Sequence, residues 1–366
     1  MKRGKRGERG FTLVELMIAL VVSSLLVGMI LAIFSRMSIA YREQQQIAGV
    51  QQVLAAARAT IEIDAKQAGL GMSQGFIYND GALHHAVSVK NSNAGPDQIA
   101  FFYADPGTQA VVQSVTWTSP MTVDSTTGFA VDDIVVISTA DLTTSGLGAN
   151  DGNIAKYSAC VLKIAAVGGN TVAFSAAAPW NVSDCSGLPV PGPTTMMYKF
   201  VARAYQIDPA RPELGALQQS RNGGLLGALD TWDDLAYGFT DIQVALQMYD
   251  PGRDNSDSAD PDTDGARDWY SDGMQDTLTA TGAPFLFSDG LLQASISLVA
   301  RTDRNVEGIA SSTTPTLSDP TNLTNNTIGD RPAVALPSAT DPALQGARIY
   351  RYTTFQVDFR NLGVGR

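Results

Sequence analysis

From Leu13 to Phe34 the chain runs 22 residues with a single charge, Glu15. At about 1.5 Å per residue, a helix over this run is about 33 Å long, enough to span a bilayer. Beyond it the pattern changes rather than stops. Ile47, Val50, Leu54, Ala57 and Ile61 recur at 3-4-3-4 spacing, while Gln44, Gln45, Gln46, Gln51, Gln52 and Arg58 fill other positions. That is an amphipathic helix with one apolar stripe. Gly69 and Gly71 then supply a stop signal. A single helix over residues 11–68 would be about 87 Å long. Residues 11–35 are its membrane-length half, and residues 36–70 are an amphipathic continuation that lays its stripe on a globular remainder.

That remainder, 71–366, alternates with period two. Ile242, Val244, Leu246 and Met248 interleave with Gln243, Ala245 and Gln247; Ala294, Ile296, Leu298 and Ala300 with Gln293, Ser295 and Ser297; Phe355, Val357 and Phe359 with Gln356, Asp358 and Arg360. Less regular strand candidates lie at 98–104, 111–117, 133–138, 161–166, 171–175 and 196–207. One helix face covering an antiparallel sheet makes this an α+β fold. Loops are expected near 140–157, over the Asp-rich stretch 250–276, and over the Ser-, Thr-, Asn- and Pro-rich stretch 306–346.

Charge sharpens the picture at the N-terminus. The net charge is −11, yet residues 1–10 hold five basic groups (Lys2, Arg3, Lys5, Arg6, Arg9) against Glu8. A basic tip before an apolar run is a targeting pattern. The basic flank stays cytoplasmic and the rest of the chain lies across the membrane. The acidic balance of that remainder argues against broad nucleic-acid binding, which needs clustered Lys and Arg.

Glu15 is the anomaly in the apolar run, because a carboxylate there costs a few kcal/mol. One reading is an interfacial side chain that snorkels to water. The surrounding residues supply another. Gly10-Phe11-Thr12-Leu13-Val14-Glu15, behind a basic leader and before an apolar span, resembles the prepilin signal of type IV pilins and type II secretion pseudopilins. The resemblance implies a cut between Gly10 and Phe11 by a membrane peptidase that methylates the new N-terminus. Residues 1–10 are then a leader, and Thr12 and Glu15 belong to the assembly segment. Glu15 would pair with the amine of a neighbouring subunit in a filament, relieving a buried charge only on docking. Two rivals are an ordinary secretory signal cut after Ser38-Ile39-Ala40, and an uncleaved anchor. Arg36 and the length of the apolar run count against the first.

Further segments extend the likeness. Asp64-Ala65-Lys66-Gln67-Ala68-Gly69, the run from Leu235 to Val244, and the C-terminal run from Arg348 to Asn361 are similar to the helix end, the middle and the closing strand of PilW-type minor pilins. The region 75–195 matches no part of that family. The resemblance implies a structural assembly protein of a type IV pilus, near its tip and serving adhesion and motility. Its implied partners are other minor pilins, the major pilin, a PilY-type tip adhesin and the inner-membrane assembly platform. Its place is the inner membrane, single pass with the C-terminal part periplasmic, and then the fibre. A J-type pseudopilin of type II secretion is the nearest variant. A membrane-anchored binding or hydrolytic domain unrelated to filaments is the alternative from another class.

Cys160 and Cys185 are the only cysteines. On the periplasmic side two cysteines usually pair, the alternative being two free thiols. Residues 250–276 hold nine Asp, and Asp260-Pro261-Asp262-Thr263-Asp264-Gly265 repeats the start of a calcium loop, with Asp268 at position nine. Position twelve is Ser271, not a bidentate Glu, and a self-repelling solvated loop is the plain reading. Calcium is therefore the one cofactor the sequence suggests. His84 and His85, the only histidines, lie next to Gly81 and read as a surface loop pair. The sequence contains no P-loop or H-E-x-x-H pattern, and the chain is not expected to be an enzyme.

Overall fold

The computed structural model describes residues 12–72, 76–79, 82–90, 96–139, 159–177, 185, 191, 194–211, 214–223, 230–249, 267–270, 290–302 and 350–359. One helix, α1 (Leu13–Gln67), runs 55 residues, about 82 Å at helical rise. Thr12 caps it. The Thr12 hydroxyl oxygen accepts from the Glu15 N–H at 3.3 Å, and the Glu15 carboxylate accepts from the Thr12 N–H at 3.0 Å. This reciprocal box satisfies two of the amide donors that a helix start leaves without partners.

The helix end is stitched to the head. Ala68 N–H donates back to the Asp64 and Ala65 carbonyls, Gly69 N–H donates to Phe102 O at 2.9 Å, and Ala104 N–H donates to Leu70 O at 2.8 Å. Gly71 sits at φ +68°, and a Cβ there would lie 2.6 Å from the Ala104 side chain. Only glycine lets the chain leave the helix this close to the sheet.

Two sheets follow. The first has eleven strands: β1 (Phe76–Asn79), β2 (Ala82–His85), β3 (Val87–Lys90), β4 (Gln98–Val111), β5 (Met121–Thr122), β6 (Ile134–Thr139), β7 (Ala159–Gly168), β8 (Thr171–Phe174), β9 (Thr195–Ile207), β10 (Leu217–Ser220) and β11 (Trp232–Ala236). β9 is its spine. β4 pairs along one edge, while the other edge is shared by β6 over residues 195–199 and β10 over residues 204–207. The second sheet orders β13 (Arg267–Tyr270), β12 (Phe239–Tyr249), β14 (Gly290–Arg301) and β15 (Tyr350–Asp358), all antiparallel.

The α+β class holds, with corrections of detail. The strands divide between two sheets rather than one. One pairing is parallel, with Tyr78 of β1 opposite Cys160 of β7. Beyond Val111 the expected strand 111–117 is absent, with only a bridge from Val112 to Val123. The stretch 250–276, expected as a loop, contains β13.

The main core lies between the helix and both sheets. Val50, Leu54, Ala57, Ile61 and Ala65 of α1 share it with Phe101 and Tyr205 of the first sheet and with Val244, Ile296, Leu298 and Phe355 of the second. At about 1.5–3 kcal/mol per buried large side chain, this stripe holds the amphipathic half of the helix in place. Asp97 ties the sheets together: its carboxylate accepts from Val244 N–H at 2.8 Å, and its own N–H donates to Ile242 O at 2.8 Å.

A second, smaller core lies on the opposite face of the first sheet. Because β6 and β7 alternate, Val136 and Val161 point into the main core while Val135, Ile137, Leu162 and Ile164 point into the second. Met121, Val123, Phe129, Val172, Phe174 and Met197 complete it. The 75–195 region therefore serves both cores: Ile77, Val89 and Phe101 lie in the main one, and Val123, Leu162 and Val172 in the second.

Candidate functional site

The upper half of α1 is bare. Leu13 is 75% exposed, Phe34 65% and Met37 63%, and large apolar side chains between them are open all round the helix. A soluble surface does not carry such a patch; it marks a lipid or protein contact. The helix is long and apolar enough to cross a membrane. The two serines in the middle of the apolar run are already satisfied, as lipid demands: the Ser23 hydroxyl donates to Ala19 O at 2.7 Å and the Ser24 hydroxyl to Val21 O at 2.8 Å.

Glu15 stands one turn into this surface, and Thr12 is its partner. The Glu15 Oε2 atom takes both donors, the Thr12 amide and the Thr12 hydroxyl, each at 3.0 Å. Gly10 and Phe11, the expected cleavage pair, lie outside the described residues. The spacing Thr-x-x-Glu before an apolar run is a capping-box signature, a second meaning of Thr12 and Glu15 that the family resemblance alone does not convey.

A further site escaped the sequence reading. Asp64 of α1 is 8% exposed and faces the head. The Tyr103 hydroxyl of β4 donates to its Oδ1 at 2.7 Å, the Tyr205 hydroxyl of β9 donates to its Oδ2, and Gln219 of β10 donates to the Tyr205 oxygen at 2.7 Å. Burial raises both phenols above the ordinary tyrosine range, and the Asp64 charge adds to it. Three neighbouring strands thus converge on one helical carboxylate. The available signal was position: Asp64 follows Ile61 by three, so it continues the apolar stripe with an acid.

Cys160 and Cys185 are joined as a disulfide with Cα atoms 6.1 Å apart, and both lie buried in the second core. Of the calcium candidates, Asp260, Asp262 and Asp264 lie outside the described residues, and Asp268 falls in β13 opposite Met248. No group of three His, Cys, Asp or Glu stands ready for a metal among the described residues. His84 and His85 lie on β2, opposite Ile77 and Phe76 of β1, so this pair belongs to a strand rather than a loop.

The pattern that defines the prokaryotic N-terminal methylation motif matches residues 5–31. It covers the leader from Lys5 onward, Gly10 through Glu15, and most of the apolar run, and it is the prepilin-like motif of structural proteins rather than of enzymes. No curated protein matches the chain. Among solved structures, a type IV-like pilin from Thermus thermophilus is similar at TM-score 0.36 and 12% identity, over 85% of this chain and 97% of that one. A likeness that loose carries no functional argument.

Proposed function

We propose that this chain is a minor pilin of the PilW type that helps to prime type IV pilus assembly near the tip. The observation that carries the reading is the methylation motif running without a break into one 55-residue helix, bare and apolar at its start and docked on a β head at its end. Cleavage between Gly10 and Phe11 removes the basic leader and leaves an amine one turn before Glu15. The apolar half first anchors the chain in the inner membrane and then packs among other pilin helices. The basic flank keeps the leader cytoplasmic, and a disulfide in the head suits the periplasmic side. Other minor pilins, the major pilin, a PilY-type tip adhesin, the assembly platform and the prepilin peptidase are the partners of this reading.

Mass spectrometry of the mature N-terminus from membranes tests it. A chain starting at methylated Phe11, recovered with sheared pili, supports the proposal. A chain starting at Met1 or Tyr41 overturns it. Recovery only with a type II secretion machine would reassign it to the J-type pseudopilins.

A further inference from the structure

The corner where the first sheet passes into the second carries an arrangement that the assembly segment does not use. β11 ends the first sheet; among the described residues it pairs only with β10. Trp232, Asp234 and Ala236 are half-buried, while the alternate positions Asp233, Leu235 and Tyr237 are exposed. Leu235 is 43% and Tyr237 58% exposed; Leu214, 45% exposed, lies alongside, its carbonyl accepting from Gly238 N–H at 3.2 Å.

The exposed tyrosine is held in place from beneath. Its hydroxyl donates to Asp234 Oδ2 at 3.0 Å. Asp234 Oδ1 accepts from Gln218 Nε2 and from Arg211 Nη2, both at 2.8 Å. Arg211 Nε donates to Asp208 Oδ2 at 2.6 Å, and Gln206 Nε2 donates to Gln218 Oε1 at 3.2 Å. The Gln218 amide, with Tyr237 and Arg211 adding to it, keeps the Asp234 carboxyl below its usual range. The core is packed by Trp232 and Ala236 on the other side of the strand, so the ring is not needed there. A tyrosine whose rotamer is already set loses little entropy on docking, and such residues anchor interfaces.

Charge selects the occupant. Residues 208–237 hold five acids (Asp208, Glu213, Asp230, Asp233, Asp234) against Arg211 and Arg221. Beyond its first ten residues the whole chain carries 35 acids against 20 bases, so a second copy would be repelled. A register shift between Leu217 and Gln218 interrupts the β10–β11 ladder, a bulge of the kind that discourages strand addition at an edge. The contact is therefore one of side chains.

We propose that Leu214, Leu235 and Tyr237 form a docking patch for a neighbouring subunit of different sequence, one presenting an apolar contact flanked by lysine or arginine. The class of partner rests on the assembly reading above. The test replaces Leu235 with the photocrosslinker p-benzoylphenylalanine in the full chain, in its native membranes and in sheared filaments. The expected result is an adduct with a different chain, mapped to a segment bearing Lys or Arg. With the photocrosslinker at Leu214 instead, Tyr237→Ala should lower the yield at least tenfold with unchanged thermal unfolding. An adduct with a second copy, with lipid alone, or with no protein in filaments that contain the chain overturns the proposal. A membrane adduct with a basic partner, in cells whose filaments lack the chain, supports the patch and sinks the assembly reading instead.

Discussion

Tyr205 and Asp64 stand 141 positions apart in sequence, yet the phenol of one donates to the carboxylate of the other inside the head. Their contact, backed by Tyr103 and Gln219, is the polar joint between helix and sheet. Around it the helix offers alanines at 57, 65 and 68, which grip by area and not by direction. A buried polar contact adds the directional demand that apolar packing lacks.

Removing the carboxylate leaves two buried hydroxyls without their acceptor, at about 1–3 kcal/mol each. Asp64→Ala is expected to lower the stability of the head by about 2–6 kcal/mol, and Asp64→Asn by less, because an amide oxygen still accepts. Urea unfolding of the detergent-solubilised chain measures both. Equal midpoints for wild type and Asp64→Ala would remove the joint from the account.

The same cluster sets a high-pH limit. Tyr103 and Tyr205 are raised above their unfolded value near pH 10, so the folded state keeps its phenol protons longer than the unfolded state does. Their contribution is complete below about pH 10 and is lost as pH rises through the higher folded values. Unfolding midpoints should therefore fall from pH 9.5 upwards, about as this linkage requires, and Tyr205→Phe should flatten that fall. A wild-type midpoint that does not move up to about pH 11 refutes the assignment.

Glu15 combines a cap with a charge, and two substitutions separate them. Glu15→Gln keeps a side-chain acceptor for the Thr12 amide, since Gln also serves in a capping box, but removes the charge. Glu15→Ala removes both. If pairing with a neighbour's amine drives incorporation, both variants insert in the membrane and both are depleted from sheared filaments. Depletion of Glu15→Ala alone would assign the effect to the cap, worth about 0.5–2 kcal/mol.

Two glycines should respond with opposite signs. Gly49, in the helix, has nothing within 4 Å of an added Cβ, so Gly49→Ala should stabilise the helix by about 0.5–1 kcal/mol. Gly215 sits at φ +60°, and its added Cβ would run into the Phe239 carbonyl where the two sheets meet. Gly215→Ala should cost about 2 kcal/mol or more. Thermal unfolding of the pair decides; a stabilising Gly215→Ala would contradict the close approach.

The disulfide closes a loop around the β7–β8 hairpin within the second core. On the chain-entropy estimate, Cys160→Ser with Cys185→Ser costs about 3–4 kcal/mol. Limited proteolysis should then cut first within 112–137, the lobe whose packing depends on that core. Cleavage spread evenly over the head would argue that the bridge is not what holds the lobe.

The parts of this fold that were legible in the sequence are those where one face of an element meets one environment. The helix showed itself because its stripe keeps the 3.6-residue period from Ile47 to Ile61. β12, β14 and β15 showed themselves because polar and apolar positions alternate: the apolar set enters the main core in each, while the polar set is open in β15 and buried in β12 and β14, as at Gln243 and Ser295. β6 and β7 read less cleanly because both of their faces are buried, one against each core. The division into two sheets was not visible, since it depends on partners distant in sequence, such as Asp97 with Val244. β13 is four residues inside an Asp-rich run, where pairing to β12 overrides composition. Of the functional residues, Thr12 and Glu15 were found through a local motif. Asp64 was not, because what makes it special is Tyr103 and Tyr205, and no local pattern announces them.

The helix leaves its apolar run at Phe34 and meets the core at Val50. The intervening 15 residues make a strut of about 22 Å, while the headgroup layer on one side of a bilayer is only about 6 Å deep. On the proposed reading, a chain anchored by its apolar run carries the core of its head on this strut, clear of the headgroup layer. Ten degrees of rocking at the foot of that strut sweep its docked end sideways by about 4 Å, from the same helical rise. On the proposed assembly reading, such a head searches a small disc of positions before neighbours lock it, and lateral capture begins as a swing and not as a lift.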